Sequence, residues 1–141
     1  EEAEEEKAQA TVKSFSHFGK EAQAKKALEE KAEQDRLEIE RREGMFKQVL
    51  EIDPEDTLAN YGMADVSFKR ELWSDAEAYL QKVISADPKY SVAYLLLGKT
   101  QEKMNLIPEA SSTLNTGIKI ASNQGDLMPA NEMQQILNRL S

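Results

Sequence analysis

Two Asp-Pro pairs, Asp53-Pro54 and Asp87-Pro88, stand 34 residues apart, and each closes an apolar stretch with helical spacing. Phe46, Val49, Leu50 and Ile52 precede the first pair; Leu80, Val83, Ile84 and Ala86 precede the second. Proline lacks the backbone donor that a helix interior needs, so each pair reads as a helix end. Self-similarity at this period marks a stack of supersecondary units, none of which can bury its apolar face alone.

The register can be followed residue by residue. The first complete unit runs from Thr57 to Tyr90 and the second from Ser91 to Gln124. The opening helix of the second unit carries Tyr94, Leu97 and Gly98, and that of the first carries Asn60, Met63 and Ala64. The closing helix carries Ala76, Leu80 and Val83 before Pro88, then Ala110, Leu114 and Gly117, with Ser122 where a second Pro would stand. A 34-residue repeat with this order of bulky and small residues resembles the tetratricopeptide (TPR) family. The resemblance covers roughly residues 45 to 140. It departs from the family pattern at Asn60, where an aromatic is usual, and at Ser122, as befits the last unit of an array.

That resemblance implies an all-α fold: a TPR-type α-solenoid of two helical hairpins plus a capping helix, preceded by a long charged helix. Ala64, Ala76, Leu80, Tyr94, Gly98, Ala110 and Leu114 then carry the packing between helices, with Pro54 and Pro88 at the boundaries. A larger side chain at Gly98 would overpack a helix crossing, at roughly 1–3 kcal/mol. Trp73-Ser74-Asp75 and Leu106-Ile107-Pro108 are read as the turns within each hairpin, with Ser74 as an N-cap. Pro108 suits the first turn of a helix. Met133, Ile136, Leu137 and Leu140 mark an amphipathic capping helix over residues 127–140, after a break and cap at Gly125-Asp126. Phe46 and Val49 match the second helix of a preceding unit, of which residues 45–56 are a partial repeat; Arg42 sits where that helix would need a small residue, so the preceding hairpin is degenerate or the long helix replaces it.

Residues 1–44 have a different character. They contain no proline and one glycine, Gly19, and are dominated by Ala, Glu, Lys, Gln and Arg, all strong helix formers. One or two long helices are expected, with Gly19 either ending the first or tolerated inside it. Glu21/Lys25 and Glu38/Arg42 have favourable spacing, whereas Glu29/Glu33 does not. Ala8, Phe15 and Ala22 are seven apart with Phe18 between, and Leu28, Ala32, Ile39, Phe46 and Val49 form a second stripe interrupted by Asp35 and Arg42. Such a pattern falls short of a sustained coiled-coil repeat. It fits either a solvated charged helix or one that docks on a partner or a second copy through Phe15 and Phe18.

Chemistry has few residues to rest on. The 141 residues include no cysteine and one histidine, His17, so disulfides, thiolate sites and multi-histidine metal sites are excluded. The glycines are scattered at 19, 44, 62, 98, 117 and 125, with no phosphate-binding loop. Acidic pairs such as Glu1/Glu2 and Glu55/Asp56 are expected in a chain of net charge −8 and do not by themselves imply acid–base catalysis. The expectation is a non-enzyme with no cofactor and no metal. Lys and Arg are not clustered, which argues against nucleic acid and anionic membrane as partners. The lack of cysteine points to the cytoplasm, with the periplasm as the alternative. The chain begins Glu1-Glu2-Ala3 rather than with Met, which leaves open that it is a fragment.

Binding does have candidates. In the TPR family the first helix of each repeat lines the inner face. Here the resemblance assigns that face Leu58, Tyr61, Asp65, Phe68 and Lys69, then Val92, Leu95, Lys99, Glu102 and Lys103. The carboxylate-gripping set of some family members is not reproduced, since the matching places hold Tyr61, Asp65 and Leu96. The face is apolar at one end and charged at the other, which suits an amphipathic helix or an extended peptide. Two plainer readings stand beside it: Leu58, Val92 and Leu95 pack against the chain's own N-terminal helix, and the three lysines are ordinary solvated charges. The expected function is an adaptor or assembly scaffold that binds a protein or peptide, with Tyr61 and Phe68 as the anchors. The alternatives are a homodimer joined through the N-terminal helix, or an accessory region of a larger enzyme or secretion component.

Overall fold

The computed structural model describes all 141 residues as six α-helices and no strand. They are α1 (Glu2–Ile52), α2 (Thr57–Lys69), α3 (Trp73–Ala86), α4 (Ser91–Lys103), α5 (Ile107–Gln124) and α6 (Leu127–Leu140). The chain divides into two units, Glu1–Glu40 and Arg41–Ser141.

The first unit is helix throughout, and none of its residues is buried. Gly19 lies inside this helix with open space around it, so residues 1–44 belong to one helix and not two. An isolated glycine costs about 1 kcal/mol in a helix, too little to break a run of strong formers. The side-chain pairings differ from those expected. Glu21 is taken by His17 at 2.9 Å and Lys25 by Glu29 at 4.0 Å, while Arg36 bridges Glu33 and Glu40. Exposed pairs of this kind contribute about 0–1 kcal/mol each.

The second unit begins four residues before Met45, because the last turns of α1 already pack. Glu43 binds Lys47 at 2.6 Å and also Arg70, just beyond α2. A Cβ on Gly62 would lie 2.3 Å from the Phe46 ring, so the end of α1 sits directly on α2. The following helices repeat at the level of single atoms. Asp53 Oδ1 accepts from the Glu55 N–H and Asp87 Oδ1 from the Lys89 N–H, both at 3.1 Å. Asn60 Nδ2 donates to the Pro54 carbonyl at 3.0 Å, and Tyr94 Oη donates to the Pro88 carbonyl at 2.8 Å. Asn60 thus departs from an aromatic and still makes the aromatic's hydrogen bond.

The turns within the hairpins lie earlier than Trp73-Ser74-Asp75. Glu71 (φ 60°) and Asn105 (φ 61°) are left-handed, again 34 residues apart. Around each, two N–H groups fold back on the preceding helix: Glu71 to Phe68 and Leu72 to Ser67, then Asn105 to Glu102 and Leu106 to Gln101. This is the Schellman pattern, which satisfies carbonyls left open at a helix end. Trp73, Ser74 and Asp75 therefore lie in the first turn of α3. Leu72 holds the N-cap position, and no side chain caps the helix, so Ser74 is not the N-cap. Ile107 and Pro108 likewise lie inside α5. Gly125 (φ 76°) ends α5 in the same left-handed way. Asp126 stands at the N-cap of α6 without capping it; its carboxylate instead accepts from Ser91 Oγ at 2.9 Å.

Two apolar clusters follow from this stacking. Ala64, Leu80, Val83, Ala93, Leu96 and Leu97 form the first, and Tyr94, Leu114, Ala121, Ala130, Met133 and Ile136 the second. Ala76 and Ala110 are fully buried between helices. A Cβ on Gly98 would lie 2.4 Å from Leu114 Cδ2, so any side chain there forces the buried Leu114 to shift. Pro54 and Pro88 stay exposed in the boundary turns.

Candidate functional site

Helix α2, through Phe68, and helices α4 and α6, through several charged and polar side chains, line one groove. Each has a face fixed by burial. On α4, Ala93, Tyr94, Leu96 and Leu97 are buried, which leaves Lys99, Glu102 and Lys103 outward. On α6, Ala130, Met133 and Ile136 point inward, and Glu132, Gln135 and Arg139 flank them. The groove has a volume of about 610 Å³ and is lined by Phe68, Lys99, Glu102, Lys103, Glu132, Gln135, Ile136 and Arg139.

Its charges are largely matched within the chain. Lys99 Nζ lies 3.1 Å from Glu132 Oε1, and the Arg139 guanidinium holds both oxygens of Glu102 at 2.5 and 3.0 Å. That bidentate hydrogen bond holds the Glu102 carboxyl below its ordinary pKa, despite partial burial that acts the other way. Lys69 pairs with Asp65 at 3.0 Å on α2. Lys103 is in no ion pair and is the one cation on the groove without a carboxylate partner.

Of the ten residues assigned to the inner face from the sequence, Phe68, Lys99, Glu102 and Lys103 line this groove. The others lie elsewhere or do other work. Tyr61 is half-buried against the first cluster with its ring 5.4 Å from that of Tyr90. Burial, with Asp65 close by, pushes the Tyr61 phenol up to about 12. Leu95 packs against the second cluster, Val92 is half-buried, and Leu58 is 66% exposed. Leu96 is core. Phe68 stands edge-on to Trp73, with ring centres 5.1 Å apart. The α6 residues Glu132, Gln135, Ile136 and Arg139 were missed by sequence reasoning. Their i, i+3, i+4, i+7 spacing carries the signal, since it puts all four on one side of the helix. No group of three or more His, Cys, Asp or Glu is placed to hold a metal.

A family profile described as tetratricopeptide repeat matches residues 68–127. The chain is also 30% identical to a tetratricopeptide repeat domain protein from Salinibacter ruber, whose solution structure it matches with a TM-score of 0.58 over 62% of this chain and 89% of that one. The chain belongs to the tetratricopeptide repeat family. A further TPR relative is the TPR repeat-containing protein PA0015 of Pseudomonas aeruginosa, 32% identical over 65 residues, 46% of this chain. The chain spans 62% of that relative's length. The TPR2B domain of yeast Sti1, solved as a complex with pHsp70, shares the fold with a TM-score of 0.66 at 20% identity, over 70% of this chain and 78% of that one. Two TPR hairpins, the end of α1 before them and the capping helix α6 after them thus account for the second unit. TPR folds of this kind generally serve protein–protein interaction, and no helix here is long and apolar enough to cross a membrane.

Proposed function

We propose that this chain is an adaptor or scaffold that holds an amphipathic helix or extended peptide of another protein in the groove between α2, α4 and α6. The observation that carries this reading is the groove's charge state. Its carboxylates Glu132 and Glu102 are already paired with Lys99 and Arg139, so Lys103 is the cation left for a ligand. Phe68 and Ile136 supply apolar surface beside it. A partner of fitting chemistry places a large apolar side chain on Phe68 and a carboxylate within reach of Lys103. The Sti1 domain complexed with pHsp70 supports the use of this fold to hold a protein ligand.

Tyr61 is a poorer probe than Phe68 and Lys103, because its ring is engaged by Tyr90 and the core. Affinity capture from the native extract should therefore compare the wild type with Phe68→Ala/Lys103→Glu. The double variant is expected to retain its helical circular dichroism and to lose partner recovery by about tenfold or more. Recovery equal to wild type would overturn the groove reading.

A second reading is self-association through the long helix. It is favoured by large apolar side chains left in solvent along α1: Phe15 at 72% exposure, Phe18 at 69% and Ile52 at 89%.

A further inference from the structure

The last turns of α1 occupy the place of a repeat's second helix, and that place has a missing neighbour. Counted back by 34 residues, Val83 corresponds to Val49. Val83 is fully buried between α2 and α4, whereas Val49 is 41% exposed. Met45 at 54% and Ile52 at 89% extend the same open stripe, at i, i+4 and i+7. A preceding first helix would cover it, but α1 runs on without a hairpin.

Charge brackets this stripe in opposite senses. Arg41 and Arg42 lie at its start, one on either side at 100° per residue, and neither is in an ion pair. Glu55 and Asp56 lie just past its end and have no cation partner either. The order is basic, apolar, acidic, and it is symmetric about the point between residues 48 and 49. Run antiparallel along α1, a second copy places Ile52 on Met45 and Val49 beside Val49, and it brings the turn carrying Glu55 and Asp56, just past the end of α1, toward Arg41 and Arg42. This is the pattern of an isologous two-fold contact, in which one patch is its own complement.

We infer that the chain pairs with a second copy of itself through this seam, residues 41–56, in antiparallel fashion. The inference rests on the self-association reading and gives it a location, away from Phe15 and Phe18. It is independent of the groove, whose residues lie on other helices.

Sedimentation of the full chain over a wide concentration range tests it. The wild type is expected to form a dimer, and Val49→Glu/Ile52→Glu to weaken it by about tenfold or more while keeping its helical signal. Arg42→Glu alone is expected to weaken it in a salt-sensitive way, and adding Glu55→Arg to restore it, because the swapped charges face each other again. Restoration by a second reversal is not expected of residues that act only on folding. A monomer at every concentration would overturn both the seam and the self-association reading. A dimer indifferent to the Val49/Ile52 variant but lost in Phe15→Glu/Phe18→Glu would overturn the seam alone.

Discussion

Asn60 and Tyr94 occupy one repeat position with unlike side chains, yet both donate to the carbonyl of the boundary proline. Asn60 pays with an unpartnered buried Oδ1, a kind of defect that costs about 1–3 kcal/mol. Glu71 and Asn105 are a second such pair. Both are left-handed, but Asn tolerates that region and Glu does not. Glutamate carries no left-handed signal, so the first reversal is not legible in the sequence, whereas Asn105 does carry one for the second. Gly98 and Ala64, by contrast, were legible, because small residues at fixed spacing have few other reasons to recur. A melting series separates these effects. Glu71→Gly should gain about 1 kcal/mol by relieving the left-handed backbone, and raise the midpoint by a few degrees. Gly98→Trp should cost upwards of about 3 kcal/mol, since even a Cβ there meets Leu114. An unchanged midpoint for Gly98→Trp would contradict the register.

Among the elements, α6 both closes the stack and walls the groove. Its apolar positions Met133, Ile136, Leu137 and Leu140 could be read from the sequence as a cap. Its other face, as the third wall of the groove, could not, because that depends on where α4 lies across from it. The Arg139–Glu102 clamp joins the two helices, and its titration gives a test. The folded-state pKa of Glu102 is lowered, chiefly by the hydrogen bond from Arg139. The stabilisation is therefore fully present above the ordinary carboxylate pKa, about 4.3, and lost as pH falls through the lower folded value. Glu102→Gln should lower the melting point at pH 7 and flatten its decline in acid. A variant with the wild-type slope below about pH 4 would show that the clamp is not coupled to folding. The helix α1 illustrates the opposite case. Its helical character followed from composition alone, but its unbroken run through Gly19 and past residue 44 reflects an absence of any strong stop until Asp53-Pro54.

For the molecule as a whole, the repeat unit and the charged helix were separable in the sequence because one carries periodic apolar residues and the other does not. The ligand was not legible, because a groove is assembled from three helices distant in sequence and its residual charge depends on which ions pair internally. Lys99 and Lys69 looked equivalent to Lys103 until their partners Glu132 and Asp65 were in place. On the proposed function, this inner surface is where another protein is held. Amide hydrogen exchange of the full chain, alone and with its captured partner bound, tests it most directly. Added protection is predicted along α2, α4 and α6, greatest around Phe68, Lys103 and Gln135. Protection confined to α3 and α5, or to residues 1–40, would contradict the account.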